Sequence, residues 1–460
     1  MARLFGTDGV RGVAGRELTA SLAMEVGAAA AMVLAAETHK KPLVIIGRDT
    51  RASGDLLEAA AAAGLCAVGA DVLLLGVVPT PTVAYLVQRY HADAGVMLSA
   101  SHNPYEFNGI KLFGPKGFKL TDAEEDRIEE LVRSGRALDG QKSGGEVGRI
   151  SRAQSAAEDY TAFLASHYRG GFSGRILADC ANGSAAVTAG RLFERLGVSA
   201  DLFACGPDGV NINDRCGSTH IERLAARVKA GGYDLGLAFD GDADRLLAVD
   251  EQGNVLDGDF LLAILGDYLS GRKALAKNTV VVTSMTNLGF FQLMRRRGTA
   301  TEVTKVGDRY VLEAMLREGC SLGGEQSGHM IFLDLATTGD GQLSAVMLLN
   351  AIAAAGRPLS ELGSAMKRFP QTMKNVSATL AAKEAYECDP AVSAAIADWS
   401  RTLEGRDGQY IVCSFLYAFQ SFGKAHFGSD FRFQSFAVCK SMEQFVVETG
   451  NGVAVGIKTD

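Results

Sequence analysis

What the 460-residue chain lacks is the first guide to it. None of its eight cysteines, at positions 66, 180, 205, 216, 320, 388, 413 and 439, stands in a CxxC pair. Scattered in this way, they read as small buried apolar residues in a reducing compartment, not as a disulfide frame or a zinc site. No run of about 18 apolar residues occurs, which argues against a membrane span. The start, MARLFGTDGVRG, has no apolar signal core. Basic charge is short as well: 46 Lys and Arg against 53 Asp and Glu leave a net charge of −7. That gives no footprint for nucleic acid, although a local cluster of arginines can still hold an anionic substrate. The expectation is a cytoplasmic protein with no nucleic-acid and no membrane partner; a homodimer is left open.

What is present alternates. LVIIG (43–47), DVLLLG (71–76) and AGVML (94–98) read as strands. Between them lie an alanine-rich helix with Ser53 as a candidate cap and a short helix, TVAYLVQRY. This β-α-β-α-β order predicts a parallel sheet with helices on its faces. RSGRALDGQKSGGEVGR (133–149) reads as a linker. A second unit follows with RILAD, VSADLFA and YDLGLAF, and EQGNVLDGD (251–259) opens a third around TVVVTS (279–284). The fold class expected is α/β: three similar mixed α/β domains at 1–150, 151–252 and 253–365, then a smaller C-terminal α+β domain at 366–460. Composition changes after about residue 408, where the last 52 residues hold eight of the 22 phenylalanines.

Three loops concentrate chemistry. AFDGDADRLLAVD (238–250) sets Asp240, Asp242 and Asp244 after an apolar strand. Three carboxylates converging from one loop repel unless a cation sits among them, and oxygen ligands favour Mg²⁺ or Ca²⁺. An EF-hand needs glycine where Arg245 stands, and LLAVD reads as a strand. Arg245 itself either pairs with these acids or grips a phosphate. LSASHNPYEFNGIKLF (98–113) puts Ser101 just past a strand end, beside His102 and ahead of Lys111. Adjacent side chains in an extended loop diverge, which argues against a hydrolase-type serine–histidine pair. GGEQSGH (323–329) offers the mixed donors and acceptors that sugar hydroxyls need. GTDGVRG (6–12) and GRDTR (47–51) add arginines in glycine-bearing loops, suited to phosphate oxygens. Serine, metal, arginine and polyol loops together fit phosphoryl transfer, where catalysis is positioning and charge stabilisation.

GTDGVRG, SASHNPYEFNGIK, DGDADR and GGEQSGH, in this order and spacing, resemble the α-D-phosphohexomutases from residue 1 to about 405. The GEQSGH form and the start LFGTDGVRG resemble the members that act on glucosamine phosphates; members acting on glucose or mannose phosphates are the alternative. The resemblance implies four domains around a central cleft and a phosphate carried on Ser101. It implies one Mg²⁺ per chain, held by that group with Asp240, Asp242 and Asp244. It further implies Arg11, His102, Lys111 and Arg245 at the reaction centre, Glu325 and Ser327 on a hexosamine phosphate, and His329 or Lys111 moving the hydroxyl proton. One departure stands out. The family's phosphate-gripping loop, R-x-S-G-T-E-P, has no counterpart in the stretch GRDGQYIVCSFLYAFQSFGKAHFGSD, where Ser414, Ser421 and Lys424 are the nearest substitutes. A shifted reading frame or an unrelated replacement would produce this, and the outcome could be a non-catalytic sugar-phosphate binder.

Overall fold

The computed structural model describes residues 3–6, 8–34, 41–374, 390, 394, 410–413 and 455–458. Ser414, Ser421 and Lys424 lie outside these residues. Three sheets share one plan. In the first, the order is Val10–Val13, Phe107–Phe113, Ala94–Leu98, Leu43–Arg48, Asp71–Val77 and Ile150–Arg152. Leu43–Arg48 runs parallel to both its neighbours, as the alternation of strands and helices predicts. The sheet as a whole is mixed, not parallel. Phe107–Phe113 returns antiparallel to Ala94–Leu98, and Val10–Val13 is antiparallel in turn. The cause is the short connection from 99 to 106, which can close a hairpin but cannot make the crossover that a parallel neighbour needs.

The other two sheets repeat the device. Ile176–Asp179 is parallel to Ala200–Phe203 and to Leu235–Phe239, and Leu246–Asp250 then turns back antiparallel. Thr279–Thr283 is parallel to Ala300–Thr304 and to Leu322–Gly324, and Met330–Phe332 turns back. Each chemistry-bearing loop is therefore the hairpin between a parallel strand and its antiparallel successor: 99–106, 240–245 and 325–329. A fourth sheet pairs Val455–Lys458 antiparallel with both Gln371–Lys374 and Tyr410–Cys413.

Packing divides unevenly. One apolar cluster runs through the second and third sheets, joining Leu237 and Ala248 to Leu265, Val282 and Leu348. The first sheet has a separate cluster built on Ile46, Leu57 and Leu98. Between them stand polar contacts, the stacked Tyr85–Phe163 pair, 4.2 Å between centroids, and a smaller apolar cluster in which Ala156 joins Val83 and Leu86. No helix among the described residues is long and apolar enough to cross a membrane.

The alanine-rich helices Ala20–Leu34 and Gly54–Ala67 cover one face of the first sheet and pack at backbone distance. Side chains this small leave little to interdigitate, so the helices can close until backbones meet. A Cβ on Gly64 would lie 2.0 Å from the Met24 carbonyl oxygen. Gly64→Val is therefore expected to push the helices apart and lower unfolding stability by about 2 kcal/mol, read by urea denaturation. An unchanged midpoint would show that the contact is not tight.

Candidate active site

The acid loop is a hairpin turn, with Phe239 opposite Leu246. That rules out the helix–loop–helix frame of an EF-hand. Asp240, Asp242 and Asp244 are all buried, and one oxygen of each lies within 4.8 Å of the others. Burial and repulsion from Asp244 and Asp242 push the Asp240 carboxyl well above the usual carboxylate range. Oδ1 of Asp242 and Oδ1 of Asp244 are buried without a hydrogen-bond partner. Unsatisfied carboxylate oxygens on a converging, all-oxygen donor set fit a hard divalent cation. The three aspartates are the residues that would hold it.

The serine loop from the first sheet lies against this turn. Ser101 Oγ donates to Asp240 Oδ2 at 2.6 Å. Its φ is +53°, a left-handed value unusual for a non-glycine residue. Because the backbone is not extended here, neighbouring side chains converge: Ser101 Oγ lies 3.3 Å from His102 Nδ1, closer than the sequence argument allowed. The hydroxyl proton nevertheless points to Asp240. Burial, with Arg245 and Arg11 nearby, pushes the His102 imidazole down to about 4. The ring is thus neutral near pH 7.

Lys111 reaches the same acids because the hairpin register sets it opposite Met97. Its Nζ is 2.8 Å from Asp242 Oδ2, 3.5 Å from Asp244 Oδ2 and 3.0 Å from Asp8 Oδ2. Burial opposes its charge, but Asp242, Asp8 and Asp244 outweigh burial and raise its pKa. Arg11 pairs with Asp8. Arg245 Nε is 3.8 Å from Asp244 Oδ1 and lacks a hydrogen-bond partner. Of the two sequence readings for Arg245, it is beside an acid yet has a donor to spare.

The sugar loop arrives from the third sheet. His329 Nδ1 lies 3.6 Å from Asp244 Oδ2 and its Nε2 lies 3.7 Å from Asp308 Oδ2. Burial disfavours the charged ring, but Asp244 and Asp308 raise its pKa overall. The Gly339 N–H, 3.1 Å from Nε2, works the other way, since only an unprotonated nitrogen accepts. Glu325 accepts from the Gly307 N–H, and Ser327 Oγ is buried without a partner. Gln326 turns away: its amide donates to Asp259 at 2.9 Å. Ser101, His102, Lys111, Arg11, Arg245, His329 and the three aspartates thus gather around one acid cluster, with Glu325 and Ser327 on the loop that joins it.

GRDTR serves the site differently from the reading as a phosphate grip. Arg51 is 1 % exposed. Its Nε donates to Asp49, Nη2 to the carbonyls of Ser101 (2.9 Å) and Asn103 (2.8 Å), and Nη1 to those of Phe107 and Pro104. Its donors are spent on shaping the serine loop, so none is left for a ligand. Asn213, from the second unit, donates to the Ser101 and Asn103 carbonyls as well, at 2.9 and 3.1 Å. Sequence reasoning missed Asn213, Thr80, Lys119 and Asp308, and took Asp8 only as part of a glycine loop. Thr80 Oγ1 donates to Asp242 Oδ2 at 2.5 Å. Only the string GTDGVRG carried any signal, for Asp8; the others pair across more than 100 positions, where spacing is silent.

Comparisons with known proteins show the family. Models of phosphoglucomutase/phosphomannomutase α/β/α domains I, II and III match residues 2–139, 158–253 and 257–369. The chain belongs to the phosphoglucomutase/phosphomannomutase family. Among its relatives, the phosphoglucosamine mutase of Acetivibrio thermocellus is 52% identical over 84% of this chain and 86% of its own. That of Desulforudis audaxviator is 51% identical over 90% of this chain and 91% of its own. The crystal structure of a phosphoglucomutase/phosphomannomutase family protein from Burkholderia thailandensis shares the fold, with a TM-score of 0.76 at 22% identity, covering 99% of this chain and 93% of that one.

Two outcomes follow from the site. A divalent cation should relieve the acid cluster, so Mg²⁺ at 100 times its Kd is expected to add about 2.7 kcal/mol of unfolding stability. Asp242→Asn should remove most of that gain in calorimetry; equal stabilisation of wild type and variant would place the ion elsewhere. Arg51→Lys keeps the charge but loses the planar fork, and is expected to cost about 3 kcal/mol by leaving buried carbonyls unpaired. A denaturation curve matching wild type would contradict the stapling role.

Proposed function

We propose that this chain interconverts glucosamine 6-phosphate and glucosamine 1-phosphate in the cytoplasm, through a phosphate carried on Ser101. The observation that carries the reading is the 2.6 Å contact of Ser101 Oγ with Asp240 inside an acid cluster that the sugar loop also touches through His329. In this reading the site residues keep the roles that the motif resemblance implies, and the domain boundaries lie near 150, 252 and 365. The names of the relatives in Acetivibrio and Desulforudis support the amino-sugar substrate.

In this reading Glu325 and Ser327 hold the hexose hydroxyls and present a free hydroxyl to phosphoserine 101. The hydroxyl oxygen attacks phosphorus and gives up its proton, the P–Oγ bond breaks with its electron pair going to Ser101 Oγ, that oxygen takes a proton back, and a bisphosphate results. Lys111, Arg11 and Arg245 bear the developing charge on the phosphoryl oxygens, where a fixed cation acts without reorganisation. His102, neutral, accepts hydrogen bonds without adding charge. His329 or Lys111 carries the hydroxyl proton, as the motif resemblance implies. Mg²⁺ held by Asp240, Asp242 and Asp244 would supply further neutralisation of phosphate charge. The bisphosphate then turns within the cleft, and its other phosphate returns to Ser101. The R-x-S-G-T-E-P grip that the resemblance implies has no counterpart in this sequence. Losing such an anchor costs about 2–5 kcal/mol when it is buried, which raises KM.

Action on glucose or mannose phosphates is the competing reading. Gln326, whose amide faces Asp259 rather than a substrate, does not discriminate by contact. Side-by-side kcat/KM values on the three sugar phosphates decide between them. Intact-mass analysis is expected to find one phosphate on Ser101, and Ser101→Ala is expected to lose isomerisation. Full activity in that variant would overturn the phosphoserine route; binding without turnover in wild type would leave a sugar-phosphate binder.

A further inference from the structure

Lys119 belongs to none of the four motifs, yet it sits at the junction of the first and third units. Its side chain is 10 % exposed. Nζ lies 2.5 Å from Asp8 Oδ1 and also contacts Asp308 Oδ2. Burial disfavours its charge, but Asp308 and Asp8 outweigh burial and keep the ammonium charged. Asp8 is a hub: its Oδ2 takes both Lys111 (3.0 Å) and Arg11. Asp308 begins the helix Asp308–Glu318 and stands 3.7 Å from His329. Nearby, Arg309 binds Glu125 at 2.6 Å, and Thr337 Oγ1 donates to the Gly117 carbonyl at 2.6 Å. The charges form a closed circuit, Asp244–Lys111–Asp8–Lys119–Asp308–His329–Asp244, with members from all three units.

We propose that Lys119 is a positioning residue: anchored on Asp308, it pins one oxygen of Asp8 so that the other presents Lys111 and Arg11 to the transferring phosphate. The physical argument is geometric. A carboxylate shared by three cations can rotate about its Cα–Cβ and Cβ–Cγ bonds, and each rotation carries Lys111 and Arg11 with it. Lys119 holds the oxygen facing away from them. Because its second anchor is on the third unit, the presentation is complete only when the sugar loop is seated against the first unit. Substrate docking and cation alignment are thereby joined by one side chain. This rests on the phosphoryl-transfer reading above.

Lys119→Met tests it. Misaligned cations should cost chemistry more than binding, so kcat is expected to fall about 100-fold with KM little changed. Lys119→Arg should recover most of the loss. The single variant takes the ammonium from Asp8 Oδ1 and Asp308 Oδ2, so Lys119→Met with Asp308→Asn provides a version in which the second of these charges is also removed. It should fold as wild type by circular dichroism and stay slow, because Asp8 remains unpinned. The ¹H–¹⁵N signal of the Arg11 guanidinium should shift in both variants. Unchanged kcat in Lys119→Met, or an unmoved Arg11 signal, would overturn the assignment. If wild type itself fails to isomerise hexosamine phosphates, the functional reading falls, while the Arg11 signal still decides the role of Lys119.

Discussion

Mutual repulsion among Asp240, Asp242 and Asp244 is the constraint on which the rest of the structure depends. Their oxygens lie within 4.8 Å of one another in a buried turn. At that separation each charged pair costs about 3.5 kcal/mol for an effective dielectric constant near 20. The second unit cannot offset this from within. Arg245 supplies one cation at 3.8 Å. The closer one, Lys111, comes from the first unit, and His329 from the third. The acid loop is therefore stable as a loop only when three units meet around it. The same convergence that destabilises the isolated turn brings Ser101, Lys111 and the GGEQSGH loop together at one point.

Strain marks the same place. Ser101 holds φ +53° and Ala243, in the facing turn, φ +56°. A non-glycine residue in this region costs of order 1 kcal/mol and persists only where neighbours over-determine it. Arg51 and Asn213 do so for Ser101, both donating to its carbonyl at 2.9 Å. Gly241 completes the fit, since a Cβ there would lie 2.6 Å from the same carbonyl oxygen. The backbone that carries the serine oxygen is thus fixed from both the first and the second unit.

Much of this was legible in the sequence, for identifiable reasons. The strands at 43–48, 71–77, 94–98 and 235–239 are apolar runs between turn residues, and local pattern finds them. The acid triplet was readable because its like charges are adjacent in the chain, so their conflict shows in one string. The antiparallel return of 107–113 was not read, because strand direction depends on the reach of the connection rather than on the strand's composition. Arg51 looked like a phosphate grip because glycine and arginine in a loop describe either role; only its burial and its carbonyl partners separate them. Asp8, Lys119 and Asp308 were invisible as a group, since each is ordinary alone and their partners lie 111 and 189 positions apart.

The uneven packing gives the proposed reaction a mechanical basis. A bisphosphate that must turn end for end needs a cleft that loosens without unfolding. The second and third units share one apolar core, and parting them would expose Leu237, Leu265 and Leu348 together. The first unit meets them through a smaller apolar cluster, in which Ala156 joins Val83 and Leu86, and through ion pairs and hydrogen bonds. Asp8, Lys119 and Asp308 keep 20, 10 and 15 % exposure, so water can replace each partner as the seam opens. Water can compensate a partly wet pair far better than an exposed core, while the buried Lys111–Asp242 pair, 1 and 0 % exposed, is the part of the seam that resists opening. The break in the apolar core therefore separates the first unit, which carries Ser101, from the pair carrying the acids and the GGEQSGH loop, and the ion pairs of the site lie along that break.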